Sequence, residues 1–423
     1  MGPEIFARRS STFSPPRIPT SQSCASAIFN PVGNEEVSKS FRDDMTLEIG
    51  STNILLMSVT PAIQPANLHG LDYRAEAARL GPPVVSIIDS HTHINGKSAA
   101  QLYHEVALMF GIERIHSMTH LEDVEAVRGI LGEKLSLIAV PQFNAEDLLK
   151  AFTTEWLERI GRFAELGCRI CKFWCAPRAK DYAKEFGDPS LMDLDSVWRR
   201  RSMERARDCG MMFMTHIADP DTWFAGKYTD EGFYGTKLEQ YEIFERVVYE
   251  YEDTLWLAAH MGGYPEDLAF LDGLLGRHDN LYLDTSATKW MVRELSKHSR
   301  DDLIAFLRKW SGRILFGSDI VVQEAHLEDA AADRSGRDGQ ANTRNEAFDL
   351  YASRYFALRT LWEGEGEGKS PIADPDLHMI DPDTYDENAS PMLRGHHLPD
   401  DILKSLYHDA AEGMMRRWDQ LRG

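Results

Sequence analysis

The first residues whose types and spacing could do chemistry are His91 and His93, in the segment IIDSHTHI. Residues two apart on a β-strand point to the same face, so both imidazoles would face one point, as a shared metal ion requires. The pair needs context, because 15 histidines among 423 residues give roughly 0.5 such pairs by chance. Whether the pair predicts a metal site therefore depends on the other candidate ligands in the sequence.

Three further candidates each follow a short apolar run: His216 ends FMTH, His260 ends LAAH, and Asp319 follows LFGS. Imidazole nitrogens and carboxylate oxygens are ligands that suit zinc. If the runs are parallel strands of one barrel, their C-terminal ends lie at the same face and these side chains converge there. The set then predicts a divalent metal site.

The elements that must position these residues alternate from about residue 84 onward. Eight short β-rich runs are separated by longer amphipathic stretches; the runs are 84–89, 112–117, 135–143, 168–174, 211–216, 255–260, 280–284 and 313–318. This alternation is typical of a parallel sheet, and eight repeats are the number that closes a (β/α)8 TIM barrel. Residues 398–418 are expected to form the eighth helix.

Two regions depart from this rhythm. Residues 320–395 contain a polar stretch and an acidic, proline-rich stretch, which predicts a long βα-loop insertion on the catalytic face that shapes or covers the substrate pocket. For the acidic half, an exposed excursion without a catalytic role remains an alternative. Residues 1–65 include a Ser-, Pro- and Thr-rich segment and are expected to be a disordered N-terminal extension, with Met45 or Met57 as candidate start residues. The barrel domain would then span residues 66–423.

Composition narrows the class of partners and the compartment. A net charge of −21 makes nucleic acid and anionic membrane surfaces poor partners, and no run approaches the ~18 apolar residues of a membrane span. Five cysteines imply no disulfide framework, which favours a reducing, cytoplasmic setting. Cys168, Cys171 and Cys175 lie close together in sequence, and we interpret them as buried small hydrophobes in preference to a metal cluster.

Taken together, the motifs resemble the amidohydrolase superfamily, specifically its amidohydrolase-related branch. The resemblance covers roughly residues 84–417 and rests on IDSHTH, HMGG, LYLDTS, LFGSD and LPDDILKSLYHDAA. It departs before Ala410, where the family usually has Asn and this chain has Asp409. The resemblance implies that His91, His93, His216 and Asp319 bind one divalent ion, most often Zn²⁺, and it leaves room for a second ion.

The same resemblance implies a metal-dependent hydrolase, in which a metal-activated water cleaves a C–O or C–N bond of a lactone, ester or amide. Asp319 would move the proton, and His260, if protonated, would polarise the carbonyl oxygen or orient the water. A decarboxylase of an aromatic or unsaturated acid is the alternative, although HINGKSAA lacks the proline that such enzymes of the branch often carry. A non-catalytic binding protein with a vestigial site is the third reading, and the family leads us to expect a small-molecule substrate and a homo-oligomer.

Four further residues are candidates for contacting substrate: Lys172, Trp174, Arg178 and Trp223, which follow the fourth and fifth strands or end them. For Lys172 we favour an ion pair with a carboxylate of the barrel or of the substrate. The alternative, taken from two-metal relatives, is a carbamylated lysine that bridges two ions. Asp89 is interpreted as an acceptor that orients one imidazole, and Asp284 as a hydrogen-bonded carboxylate at the barrel mouth.

Overall fold

The computed structural model describes residues 64–184, 187–328 and 338–423. The predicted disordered extension, residues 1–65, lies outside this range except for its last two positions. Within the described residues, no helix has the length and apolar character needed to cross a membrane.

Nine strands form one sheet that closes into a barrel. They are β1 (Ile87–Ile94), β2 (Ile112–Ser117), β3 (Leu135–Ala139), β4 (Ile170–Trp174), β5 (Met212–His216), β6 (Trp256–Ala258), β7 (Leu281–Asp284), β8 (Ile314–Leu315) and β9 (Ile320–Val322). Each strand from β1 to β7 pairs in parallel with the next strand, and β9 pairs in parallel with β1. The TIM-barrel prediction is therefore confirmed.

The eighth barrel strand is interrupted, and the interruption closes the ring. Its first part, β8, pairs with β7, whereas its second part, β9, pairs Ile320 with Thr92 of β1. Between the two parts, the Ser90 N–H donates to the Phe316 carbonyl at 2.9 Å, and the Asp319 N–H donates to the His91 carbonyl at 2.8 Å. The residues that join β8 to β9 thus lie directly against β1.

Helices surround the barrel and cover its outer face. They are α1 (Tyr73–Leu80), α2 (Lys97–Met109), α3 (Val124–Leu131), α4 (Leu148–Ala151), α5 (Thr154–Glu165), α6 (Ala179–Lys184), α7 (Val197–Asp208), α8 (Asp221–Gly226), α9 (Glu231–Tyr234), α10 (Lys237–Glu250), α11 (Leu268–Arg277), α12 (Thr288–Leu295), α13 (Arg300–Lys309), α14 (Arg344–Glu363), α15 (Pro375–Ile380), α16 (Asp400–Lys404) and α17 (Ala410–Arg422). A π-helical turn, Ser405–Asp409, joins α16 to α17 in the region predicted as one helix.

Local sequence explains the ends and faces of these helices. Helix α10 begins at a capping box, in which Thr236 and Glu239 each bond the backbone N–H of the other, and it buries Phe244, Val247 and Val248. The strands are buried along nearly their whole length because the helices cover them, so they consist mainly of apolar residues.

The insertion between β8 and the last helices contains regular structure over its described residues. Its main element is α14, a helix of 20 residues whose Tyr351, Tyr355 and Leu358 are buried. It also contains a two-stranded antiparallel sheet of β10 (Glu367–Lys369) and β11 (Met392–Arg394), with α15 in the segment between them. The insertion is therefore a folded part of the domain. Its polar and acidic segments had not indicated this.

Candidate active site

Five side chains from four strands meet at the C-terminal end of the barrel. His91 and His93 lie on β1, His216 ends β5, His260 follows β6, and Asp319 follows β8. The ring centroids of His91 and His93 are 5.8 Å apart, those of His91 and His260 4.9 Å, and those of His216 and His260 4.4 Å. The residues that the sequence analysis selected are thus neighbours, although more than two hundred positions separate the first from the last.

Asp319 lies in a turn that sets its carboxylate between the two histidines of β1. Its φ is +59°, a left-handed conformation that aspartate tolerates better than most residues. Its Oδ1 lies 3.1 Å from His93 Nε2 and 3.4 Å from His91 Nε2. The Asp319 backbone N–H is bonded to the His91 carbonyl, so the carboxylate and the imidazoles are positioned by the same short piece of structure.

A buried network behind these residues fixes the orientation of two imidazoles. His91 Nδ1 lies 2.9 Å from Asp284 Oδ2, and His260 Nδ1 lies 2.7 Å from Ser286 Oγ. Because the Ser286 hydroxyl donates its single proton to Asp284, the Nδ1–H of His260 must donate to Ser286. The lone pairs on Nε2 of neutral His91 and His260 are then available to a ligand or metal.

Charges and burial set the protonation of the site. Burial alone would raise the pKa of Asp319, but the hydrogen bond from His93 and the charges of His91 and His260 hold this pKa well below its ordinary value. Burial, together with the neighbouring His216, lowers the pKa of His260 well below its ordinary value. The lowered pKa keeps Asp319 ionised at neutral pH, and the lowered pKa of His260 favours its neutral form.

The donor set fits a divalent cation. Among the described residues, two groups of potential ligand atoms lie within 4.8 Å of one another: His91, His93 and Asp319 form one, and His91, His260 and Asp284 form the other. The Nε2 atom of His91 lies 3.4 Å from an anionic Asp319 oxygen. A positive charge between such a nitrogen and oxygen holds them together, and this mixed nitrogen and oxygen set suits a divalent metal ion.

His216, the fourth predicted ligand, belongs to neither group. Its ring packs against His260, and its Nε2 is 2.7 Å from Asp219 Oδ1. The second oxygen of Asp219 accepts the hydroxyl proton of Tyr228. The sequence analysis did not single out Asp219 or Tyr228. Only the position of Asp219, three residues after His216, could have indicated that the two side chains interact.

Exposure shows which parts of the site face the solvent. The side chains of His93, His216 and Asp319 are 19%, 14% and 24% exposed, whereas that of His91 is 1% exposed. His260 is also buried. A ligand therefore reaches the centre past His93, His216 and Asp319.

The four predicted substrate contacts are placed in different surroundings. Lys172 is buried on β4, and although burial would raise the pKa of Asp284, His91 and, to a smaller extent, His260 and Lys172 hold this pKa below its ordinary value. Trp174 is the register partner of His216 on the neighbouring strand, and its ring packs edge-on against Phe143, with 5.8 Å between centroids, beside a small apolar cluster. Arg178 is exposed, and its guanidinium lies 5.8 Å from the ring centroid of Trp223. The structure thus brings Arg178 and Trp223 together.

An aromatic wall, formed by Trp223 and Trp290, borders the histidines. The Trp290 ring centroid lies 5.5 Å from that of His260 and 5.7 Å from that of Trp223. Both indole N–H groups donate to the same oxygen of Asp376, at 2.8 Å from Trp223 and 2.9 Å from Trp290. Asp376 belongs to the acidic half of the insertion, so this half contributes to the site, and sequence reasoning had not identified Trp290 or Asp376.

The interpretation of Asp89 was wrong in its details. Asp89 is buried, but it accepts backbone N–H groups of His91 and Ser318 and the hydroxyls of Ser318 and Tyr355, with no imidazole among these partners. Its burial raises its pKa to about 7 despite these bonds. Asp89 therefore joins the backbone of β1 to the turn before Asp319 and to the insertion helix α14.

Comparison with known proteins gives no family assignment. No protein-family model matches the sequence, and no curated protein matches it. Matching crystal structures include an Agrobacterium tumefaciens protein, at 12% identity and a TM-score of 0.37 over 71% of this chain and 94% of that one. A probable 2-pyrone-4,6-dicarboxylic acid hydrolase from Acinetobacter baumannii with citric acid bound matches at 10% identity and a TM-score of 0.35, over 70% of this chain and 99% of that one.

A third matching structure is a 5-carboxyvanillate decarboxylase from Novosphingobium aromaticivorans, complexed with manganese and 4-hydroxy-3-methoxy-5-nitrobenzoic acid. It matches at 10% identity and a TM-score of 0.28, over 72% of this chain and 97% of that one.

Proposed function

We propose that this protein is a metal-dependent hydrolase of the amidohydrolase type, which cleaves a C–O or C–N bond in a small organic substrate such as a lactone, ester or amide. The observation that carries the proposal is the position of the Asp319 carboxylate, 3.1 Å and 3.4 Å from the Nε2 atoms of His93 and His91. This donor set is buried at one side and exposed at the other, as a site that binds both metal and substrate requires.

His91, His93 and Asp319 would hold the cation, with His216 as the fourth ligand, and zinc suits this set of donors. When bound, such an ion supplies Lewis acidity toward a substrate oxygen and makes a water molecule more acidic at neutral pH. The side chains of the protein would provide proton transfer and substrate positioning. The proposal places this site in the amidohydrolase-related branch that the sequence motifs resemble.

Asp319 and His260 would handle the proton. Because its pKa is held well below the ordinary value, Asp319 is ionised and can accept a proton from the attacking water, then return it to the leaving group. Neutral His260 donates through Nδ1 to Ser286, so its Nε2 can accept a hydrogen bond from water or substrate. The aromatic wall of Trp223 and Trp290 would exclude bulk water on one side and contact apolar parts of the substrate.

Metal analysis of the purified protein tests the binding step. After expression with added zinc or manganese, we expect about one equivalent of bound metal per chain, with a loss in His91→Asn. His69→Asn changes an exposed histidine of the N-terminal segment and serves as the control. Less than about a tenth of an equivalent in the wild type would favour a vestigial site and contradict the proposal.

Substrate panels test the reaction. Lactones, esters and amides are incubated with the metal-loaded protein, and hydrolysis is followed by proton release for lactones and esters and by release of the amine for amides. A parallel panel of aromatic acids is followed by release of CO₂. Hydrolysis of a member of the first panel, absent in Asp319→Asn, is the expected result. Release of CO₂ without hydrolysis would replace the proposal with the decarboxylase alternative.

A further inference from the structure

The pair formed by Asp219 and Tyr228 is the best-defined part of the site that the proposed chemistry does not use. Both residues are buried at 2% exposure, which is unusual for a carboxylate unless its oxygens are bonded. Oδ1 of Asp219 lies 2.7 Å from His216 Nε2, and Oδ2 accepts the Tyr228 hydroxyl proton. Both carboxylate oxygens are therefore engaged.

Counting protons in this chain of bonds fixes the tautomer of His216. A tyrosine hydroxyl is protonated at neutral pH and donates to the carboxylate, which can only accept. The second partner of the carboxylate must then also donate, so the His216 Nε2 carries a proton. In neutral His216 the lone pair is consequently on Nδ1, for which the described residues provide no hydrogen-bond partner.

We infer that Asp219 is a positioning residue, held in place by Tyr228, that presents Nδ1 of His216 as the metal-binding atom. The inference rests on the proposed function, because it concerns the fourth ligand of that metal site. A carboxylate bonded to the far nitrogen of a ligating histidine fixes the ring orientation and makes the ligating nitrogen more basic. His216 needs such support, since its ring is partly exposed and lies outside both tight ligand groups.

Tyr228 is itself fixed by its surroundings, so it can hold Asp219 in one orientation. Its ring centroid lies 5.1 Å from that of Phe224, 5.8 Å from that of Trp223 and 4.9 Å from that of Tyr234. Its N–H donates to the Trp223 carbonyl at 3.0 Å. The segment from β5 to α9 thus positions His216 and one side of the aromatic wall together.

Metal affinity measured without substrate tests the inference. The wild type, Asp219→Asn and Tyr228→Phe are stripped of metal and titrated with Zn²⁺ against a chromophoric chelator, then with Co²⁺ followed by visible absorption. Asp219→Asn keeps the size of the side chain and loses its charge, so we expect 10–100-fold weaker Zn²⁺ binding and altered cobalt bands. Tyr228→Phe should show a smaller loss in the same direction.

Glu245→Gln is the matched control, because Glu245 also bonds a histidine nitrogen, His278 Nε2 at 2.9 Å, but it lies on α10 in the outer layer. Its Zn²⁺ affinity and cobalt spectrum should equal those of the wild type. Circular dichroism and urea midpoints verify folding; if Asp219→Asn does not fold, Tyr228→Phe, which retains the carboxylate, decides the question.

The possible results separate the two proposals. If the wild type binds no metal, the proposed function is wrong and the inference about Asp219 is wrong with it. If the wild type binds metal and the variants at Asp219 and Tyr228 bind it with unchanged affinity and unchanged cobalt bands, only the inference is overturned. An equal loss in Glu245→Gln would also overturn it, because the effect would then be unrelated to His216.

Discussion

At the scale of single residues, Asp319 combines an unusual backbone conformation with the central position in the site. Its φ of +59° excludes most side chains there, but asparagine adopts this conformation readily. Asp319→Asn therefore tests the charge and not the turn. We expect activity to fall by at least about 100-fold, the lower range for loss of a general base, with an unchanged urea midpoint in metal-free samples.

Turnover of the best substrate from the panel is the measurement for Asp319→Asn, and metal content is determined on the same samples. Loss of turnover with metal retained would assign Asp319 mainly to proton transfer, and loss of both would assign it mainly to coordination. Wild-type turnover in Asp319→Asn would exclude both roles.

Two buried histidines outside the site each lower stability in acid. Burial lowers the pKa of His116 and of His396 to about 4, against an ordinary value near 6.5. Between these values the unfolded chain binds protons that the native state excludes, so each histidine lowers the free energy of unfolding by about 1.4 kcal/mol per pH unit as the pH falls. Above pH ~6.5 neither histidine contributes, because both states are then neutral.

Urea unfolding between pH 7.5 and pH 4.5 measures this effect. In His396→Gln an amide can replace the Nε2–H bond to the Leu295 carbonyl, 3.1 Å long in the native protein, without binding a proton. The variant should lose less stability toward acid than the wild type, and the difference should arise below pH ~6.5. Parallel pH profiles would contradict this prediction.

At the scale of elements, helix α14 is connected to the barrel by a buried chain of hydroxyl groups. Tyr103 and Tyr355 share a bond of 2.6 Å, and the Tyr355 hydroxyl donates to Asp89 Oδ2 at 2.8 Å. Tyr355→Phe leaves the Tyr103 hydroxyl and the Asp89 oxygen short of a partner, which should cost about 1–3 kcal/mol of unfolding free energy. Tyr249→Phe, at an exposed position, should leave the urea midpoint unchanged.

The acidic half of the insertion acts through Asp376. Besides the two indoles, Asp376 accepts Arg293 Nη1 at 3.0 Å, and Arg293 also bonds Asp374. Asp376→Ala should cost about 2–4 kcal/mol of unfolding free energy, because it leaves buried donors without an acceptor. It should also raise KM more than it lowers kcat, since under the proposed function the aromatic wall would contact the substrate and not the reacting atoms. Asp383→Ala, an exposed change in the same insertion, is the control for both measurements.

The sequence predicted the strands well because each one is a short apolar run, and β2 begins and ends at the expected residues. It placed β1 too early: the expected strand covered 84–89, whereas β1 is Ile87–Ile94. The polar residues of HTHI continue the strand because they pair with β2 and β9 on either side, and such pairing is a tertiary effect. The histidines therefore lie within the strand and not after it.

The ligand candidates could be predicted because strand ends converge in this fold, but their supporting residues could not. Ser286 and Asp376 act through partners far away in the chain: Ser286 lies 195 positions from His91, and Asp376 lies 153 positions from Trp223. Nothing in the local sequence marks such pairs. Only Asp219 left a local signal, its spacing of three residues from His216.

At the scale of the whole molecule, a bound cation would link residues from several strands and so stabilise the folded barrel. A ligand that binds only the native state adds about 2.7 kcal/mol at a concentration one hundred times its Kd. The apparent Tm should therefore fall after chelation and recover with added Mn²⁺ or Zn²⁺. His93→Asn should show little of this shift, and a wild-type Tm unaffected by chelator and metal would contradict the prediction.

The interrupted eighth strand carries a consequence for assembly of the chain. Asp319 approaches the imidazoles only when β9 has paired with β1. An incomplete or partly folded barrel therefore cannot bring the ligands together. Uptake of the ion would then report completed closure of the barrel. During refolding in the presence of Co²⁺, the visible absorption of bound cobalt should appear with the slowest phase of structure formation. Metal binding would then show that the barrel has closed.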